Sequence, residues 1–293
     1  MKLSILISVY HKESPEFLRQ ALDSLAAQTV RADEVVIVKD GPLGDQLDTT
    51  IASFDWKLPI VTLQLHKNVG LGAALRAGLR HCRGELVARM DADDICLAHR
   101  LEKQMAFLEQ HPEVDLVGGA IAEFYNDCAK IESLRRMPCT AQQLNKVARF
   151  RNPVNHMTVM FRKASVLAAG NYQPWAGFED YELWARMLMR GDRFHNLDDV
   201  LVHVRCGNGM QQRRGGLRYL REEIRLQQRF VKIGFLSKRQ FVFNVVTRAP
   251  IRLAPVVLRS MFYRAMLRDV TPLRSDSAIP AAPSVQVPQI EAR

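Results

Sequence analysis

The chain has 293 residues, 47% hydrophobic and 25% charged, an ordinary globular balance that allows one large domain or a domain with an appendage. Its five cysteines, Cys82, Cys96, Cys128, Cys139 and Cys206, form no CxxC pair and no zinc spacing, so they read as reduced thiols of a cytosolic protein. No apolar stretch is long enough to span a bilayer, and Leu3–Val9 is too short and lacks the cleavage site of a signal peptide.

The net charge of +10 is unevenly placed. Between Arg205 and Arg268, 15 Lys and Arg face only Glu222 and Glu223, a local +13 that leaves −3 for the remainder. That asymmetry points one region at an anionic surface: lipid, phosphate or nucleic acid.

Leu3–Val9 predicts a buried first strand. Ser14-Pro15-Glu16 predicts a helix start, with Ser as N-cap and Pro at the first helical position. Leu18, Leu22 and Leu25 then share one face. Glu34–Val38 is a second predicted strand, ending at Lys39-Asp40-Gly41-Pro42, and Val61–Leu65 is a third. A helix is expected over about Leu71–Cys82. Glu85–Met90 is a fourth predicted strand, running into Asp91-Ala92-Asp93. A helix around Ala98–Gln110, with Asp94 as its cap, closes at Pro112, and Asp115–Ile121 is a fifth predicted strand.

The second half predicts a strand at Met157–Phe161, a helix at Asp180–Arg190 and a strand at Val200–Val204. From Gln211 the pattern is helical and basic. In Ile251–Arg268, Leu253, Val257, Met261 and Met266 are ringed by Arg252, Arg259, Arg264 and Arg268. That suits either a helix resting on anionic lipid or one packed on the main body. Ser275–Arg293 lacks periodicity and reads as a disordered tail. Strand–helix alternation with apolar strands implies a mainly parallel sheet covered on both faces.

In such a sheet, ligands bind at the carboxyl ends of strands. Three loops fall there: Ser8-Val9-Tyr10, Lys39–Pro42 and Asp91-Ala92-Asp93. Paired carboxylates one residue apart suit Mg²⁺ or Mn²⁺ holding a phosphorylated substrate; they suit a solvated acidic turn equally well. Asn68-Val69-Gly70-Leu71-Gly72 precedes a helix and allows close approach of a ligand to backbone, but it is neither a dinucleotide fingerprint nor a P-loop. Glu179-Asp180 opens a helix after Trp175-Ala176-Gly177-Phe178; it reads as a cap or as a general base beside aromatic side chains.

Taken in order, Ser-Val-Tyr, Val-Lys-Asp-Gly-Pro, Asn-Val-Gly-Leu-Gly-Ala-Ala-Leu, Met-Asp-Ala-Asp-Asp and Gly-Phe-Glu-Asp-Tyr-Glu-Leu-Trp closely resemble family 2 glycosyltransferases, the group that builds bacterial surface polysaccharides. The resemblance covers about Lys2 to Arg214. It implies an α/β GT-A fold, Rossmann-like, with a mainly parallel sheet flanked by helices. Residues 1–210 would form the catalytic domain, about 1–120 for the donor and 121–210 for the acceptor. A basic helical extension over 211–270 and a disordered tail over 271–293 would follow.

Position by position, the resemblance implies that Asp91 and Asp93 hold the divalent ion (Mn²⁺ or Mg²⁺) and the donor's ribose and diphosphate. Asp40 would meet the nucleobase, with Val9 and Tyr10 lining that pocket and Asn68 and Gly70 beside the nucleotide. Asp180 would be the catalytic base, with Glu179, Trp175 and His156 toward the acceptor; His203 and Arg205 are candidate metal or diphosphate contacts. Lys39 and Pro42 depart from the family's usual Asp-Asp-Gly-Ser. The Gln-x-x-Arg-Trp motif of processive enzymes is missing, Gln211-Gln212-Arg213-Arg214-Gly215 being the nearest stretch, which implies single-sugar transfer. A nucleotide-sugar donor, a glycan or polyprenyl-diphosphate-linked acceptor and a cytoplasmic location, peripheral on an anionic membrane surface, complete the expectation.

Two other readings are weaker. A nucleotidyltransferase needs a Gly-rich basic loop, which Val9-Tyr10-His11-Lys12-Glu13 is not. A nucleic-acid-binding protein needs a recognisable binding module, and the basic region matches none. No nucleic-acid partner is therefore expected.

Overall fold

The computed structural model describes residues 1–207 and 215–255. The stretch Gln211–Arg214, most of the predicted Ile251–Arg268 helix and the tail from Ser275 lie outside the described residues.

One sheet of nine strands organises the chain. Strands β1 (Leu3–Val9), β2 (Glu34–Lys39), β3 (Ile60–Gln64) and β4 (Leu86–Met90) pair in parallel in the order β3-β2-β1-β4. Strands β5 (Ile95–Cys96), β6 (Leu116–Phe124), β7 (Ser133–Arg135), β8 (Met160–Arg162) and β9 (Phe194–Arg205) extend it. Of these, β6 and β9 are parallel, whereas β8 inserts antiparallel between β4 and β6. Strand β5 closes the edge against β9, and β7 hangs on β6.

The helices are α1 (Pro15–Ala26), α2 (Asp45–Ala52), α3 (Leu71–His81), α4 (Arg100–Gln110), α5 (Ala141–Ala148), α6 (Lys163–Ala168), α7 (Glu179–Arg190), α8 (Gly216–Lys232) and α9 (Lys238–Leu253). Successive strand side chains point to opposite faces, so β1 feeds two cores. Leu3, Ile5, Ile7 and Val9 pack with Leu18, Leu22 and Leu25 of α1 and Leu101 and Leu108 of α4. Leu6 packs on the other face with Leu75 and Leu79 of α3 and Leu183 and Trp184 of α7. Burial on both faces explains why these strands read as continuous apolar runs.

The local signals around α1 hold: the Ser14 hydroxyl accepts the Phe17 N–H at 3.4 Å, and Leu18, Ala21, Leu22 and Leu25 are buried. Two expectations need correction. The predicted strand Met157–Phe161 begins as a single 3₁₀ turn, His156–Thr158, before β8. The Thr158 side chain explains it: its hydroxyl caps the Asn155 carbonyl at 2.8 Å, a local bond that competes with strand pairing. Asp94 does not cap a helix, because α4 starts only at Arg100; Asp94 is buried and accepts the Arg205 backbone N–H at 2.9 Å, tying the acidic loop to β9.

A third apolar cluster joins α8 to the rest. Leu226 and Phe230 of α8, with Phe235 and Leu236 after it, bury against Phe178, Tyr181 and Ala185 of α7 and Ala148 of α5. Asn244 then pins α9 in place, donating to the Arg149 carbonyl at 2.9 Å and to Gln227 Oε1 at 3.0 Å. Among the described residues no helix is long and apolar enough to cross a membrane.

Candidate active site

Strand β4 stops at Met90 because Asp91 and Asp93 would otherwise carry charge into an apolar sheet. They open onto a cavity of 720 Å³ instead. Two arginines fix the strand end. Arg89, fully buried on the α7 face of β4, clasps the Asp91 carboxylate through both terminal nitrogens. Arg100 of α4 donates to the Arg89 carbonyl at 2.7 Å and to Gln104 Oε1 at 3.0 Å.

The acidic loop is crowded. Burial, then the charges of Asp91 and Glu13, push the Asp93 carboxyl up to about 7. Burial, then Asp91 and Asp93, push Asp94 well above the usual carboxylate range. Desolvated hard oxygen donors with excess negative charge fit a divalent cation. Among the described residues no three His, Cys, Asp or Glu side chains converge on a complete metal cage.

The first turn of α7 lines the same cavity through Glu179 and Asp180. Asp180 Oδ2 accepts from Asn152 Nδ2 at 2.6 Å, and Oδ1 accepts the Tyr181 N–H at 2.7 Å. The Asn152 amide is oriented by its own carbonyl, which accepts the Val154 N–H at 3.3 Å. His156 Nδ1 lies 3.9 Å from Asp180 Oδ2, and its Nε2 meets the Tyr172 hydroxyl at 3.0 Å. Burial, then the Arg89 charge, lowers the His156 pKa well below the histidine norm, so the ring is neutral. Burial, then Asp180, raises the Glu179 carboxyl to about 7.

The glycines of Asn68–Gly72 have a packing explanation. Gly70 starts α3 at φ 87°, a left-handed conformation. A Cβ on Gly72 would come within 2.6 Å of the Gln173 carbonyl and 2.9 Å of the Glu179 Cβ, so the bare glycine lets α3 sit against the segment that carries the α7 acids. Asp40 zips two loops together, its carboxylate accepting the Val69 and Gly70 N–H groups at 2.7 and 3.0 Å.

Of the residues singled out in the sequence, Asp91, Asp93, His156, Glu179, Asp180 and Arg205 line the cavity. The others sit elsewhere. Val9 is wholly buried in the core and contributes its carbonyl, which accepts the Asp40 N–H at 2.7 Å. Tyr10 is exposed at the end of β1, and Asn68 donates to the Asp40 carbonyl at 3.3 Å. These, with Asp40 and Gly70, gather at the carboxyl ends of the neighbouring strands β1 to β3. Trp175 is half-buried against the third cluster, and its carbonyl accepts the Phe178 N–H. His203 is buried on β9 opposite Ile95, with its pKa lowered by burial. Arg205 is held by α1: it donates to Gln20 at 2.6 Å and to the Asp93 carbonyl at 3.2 Å, between the Phe17 and Phe124 rings.

Reading the sequence missed Arg89, Asn152 and the α8 wall formed by Arg218, Tyr219 and Glu222. A lone Arg inside an apolar strand was a legible signal for Arg89, since buried charges need partners. Asn152 and the α8 wall carry no local signal.

Residues 4–167, more than half of the chain, match the family described as Glycosyl transferase family 2. The chain is 44% identical to the amylovoran biosynthesis glycosyltransferase AmsE of Erwinia amylovora, over 89% of this chain and 97% of that protein. It is 35% identical to an Escherichia coli UDP-Gal:alpha-D-GlcNAc-diphosphoundecaprenol beta-1,3-galactosyltransferase, over 91% and 97%. Among solved structures it resembles S. aureus TarS 1-349 in complex with UDP-GlcNAc (TM-score 0.61, 20% identity, 78% of this chain and 66% of that one). It also resembles the mannosyltransferase PcManGT of Pyrobaculum calidifontis in complex with GDP-Man and Mn²⁺ (TM-score 0.59, 18% identity, 90% and 75%). Those likenesses establish the GT-A fold. With two acidic pairs lining one cavity at the carboxyl end of β4, and relatives matched over nearly their whole length, the chain belongs to glycosyl transferase family 2 and is a glycosyltransferase.

Proposed function

We propose that this enzyme moves one sugar, with inversion, from a nucleotide-sugar, a UDP-sugar by likeness to its relatives, to a hydroxyl of a lipid-linked surface-polysaccharide glycan. The reaction would run on the cytoplasmic side of the membrane. The observation that carries the reading is that two acidic pairs from distant parts of the chain, Asp91 with Asp93 and Glu179 with Asp180, line one cavity.

The donor nucleotide would lie over the ends of β1 to β3, against Val9, Tyr10, Asp40, Asn68 and Gly70, with its diphosphate toward Asp91 and Asp93. A divalent cation, Mn²⁺ or Mg²⁺, held there would supply Lewis-acid neutralisation of the leaving diphosphate. Arg89 orients Asp91 and offsets part of the loop's charge. Within reach of Asp180, an acceptor hydroxyl gives up its proton to the carboxylate. The hydroxyl oxygen attacks the anomeric carbon as the bond to the diphosphate breaks on the opposite face. A single displacement inverts that centre and releases the nucleoside diphosphate. Glu179, with its carboxyl raised to about 7, carries a proton part of the time near neutrality and suits hydrogen bonding to the acceptor beside Trp175 and His156.

Incubation with UDP-, GDP- and dTDP-sugars plus Mn²⁺, followed for nucleoside diphosphate release, tests the donor class. Asp180→Asn is expected to abolish transfer while leaving donor affinity within about twofold, since the residue acts on the acceptor. Full turnover by that variant would remove Asp180 from the role of base.

A further inference from the structure

Among the described residues, the outer face of α9 is apolar and uncovered. Val242 and Phe243 are each 56% exposed, Val246 64% and Leu253 52%, and their spacing sets them in one stripe along the helix. Phe150, beyond α5, extends the patch, its ring edge-on to Phe243 with centroids 5.8 Å apart.

The inner face of the same helix supports the cavity. Buried Glu223 of α8 accepts from Arg248 at 2.8 Å and from Arg252 at 2.7 and 3.1 Å. The Arg252 guanidinium lies 4.7 Å from the centre of the Tyr219 ring, which lines the cavity. One helix thus braces the active-site wall and turns a greasy stripe outward.

Charge selects the occupant. Lys238–Leu253 contains no acidic residue, and Lys238 and Arg239 are exposed at its start, with Lys232 exposed at the end of α8. Two copies meeting through this face would oppose two acid-free cationic helices, a like-charge juxtaposition. An apolar stripe flanked by cations instead matches a helix lying at the headgroup–acyl boundary of an anionic bilayer.

We infer that α9 docks this chain on an anionic phospholipid surface through Val242, Phe243, Val246 and Leu253, with the α8 wall of the cavity beside the membrane. The purpose of the docking, presenting a lipid-linked acceptor to that wall, rests on the function proposed above; the docking itself does not.

Sedimentation of the full chain with vesicles of phosphatidylcholine alone, or phosphatidylcholine with phosphatidylglycerol, tests the inference. UDP release from UDP-galactose with Mn²⁺, without vesicles, is followed in parallel. The protein is expected to sediment with the anionic vesicles and to be released by salt. Val242→Glu with Val246→Glu should lower binding about tenfold, and Lys238→Gln with Arg239→Gln should weaken it and flatten its salt dependence. UDP release should not change in either variant, which also shows that both are folded. Wild-type protein that ignores anionic vesicles, or a Val242→Glu/Val246→Glu variant that binds them as wild type does, overturns the docking and leaves the transfer reading intact. A wild-type dimer, seen by light scattering, that this variant converts to monomers without loss of lipid binding overturns it in favour of self-association. Anionic-vesicle binding with the expected variant pattern but no nucleoside diphosphate release from any UDP-, GDP- or dTDP-sugar upholds the docking and counts against the transfer reading.

Discussion

Asp180 receives an N–H from Asn152 and another from its own helix, so its carboxylate is aimed before any substrate arrives. Preorganisation of that kind contributes to the transition state more than to binding. Asn152→Ala is therefore expected to lower kcat about tenfold or more with KM little changed, whereas a merely structural asparagine would lower thermal stability and leave kcat alone. Glu179 makes a prediction of opposite character. Its folded-state carboxyl is raised to about 7 from an ordinary 4.5, so the folded protein holds that proton more tightly than the unfolded chain. Its cost to stability is absent at low pH, grows as pH rises from about 4.5 to 7, and is complete above that, reaching about 3 kcal/mol. Glu179→Gln should accordingly melt close to wild type at pH 5 and above it at pH 8, in metal-free buffer. A constant difference across that range would show that burial does not shift this group.

At the scale of elements, Phe230 of α8 is fully buried, its ring 4.9 Å from Tyr181 and 5.1 Å from Phe235. Phe230→Ala should cost about 3–5 kcal/mol in urea unfolding, and the loss should appear in the single transition of the whole body if α8 and the catalytic core unfold together. Helix α3 meets the catalytic segment at Gly72, where any side chain strikes backbone. Gly72→Ala should reduce transfer more than it reduces stability, because relief requires moving α3 away from the Gln173 loop and Glu179. Elements with strong local chemistry, such as α1 with its Ser14 cap and Pro15, were legible in the sequence. Short ones, such as α2, α5 and β7, were not, because their few residues carry too little periodicity to register. The antiparallel insertion of β8 was equally hidden, since strand direction depends on which partner edge is open.

For the whole molecule, the acidic loop concentrates negative charge where the proposed reaction puts the donor diphosphate, so activity should depend on a cation. EDTA is expected to abolish transfer and Mn²⁺ or Mg²⁺ to restore it; Asp93→Ala should weaken metal-dependent donor binding about tenfold or more, read by calorimetry with and without metal. By itself the sequence determined the α/β class, the order of the first strands and helices, and the positions of the acidic motifs, because burial on both faces of a parallel sheet writes continuous apolar runs and ligand loops follow strand ends. Only the tertiary structure decided which motif residues share a cavity, that Arg89 clasps Asp91, that Asp40 ties loops together, and that α8 forms a wall of the site. Those facts depend on contacts between residues distant in the chain, and no local pattern encodes where two distant side chains will meet.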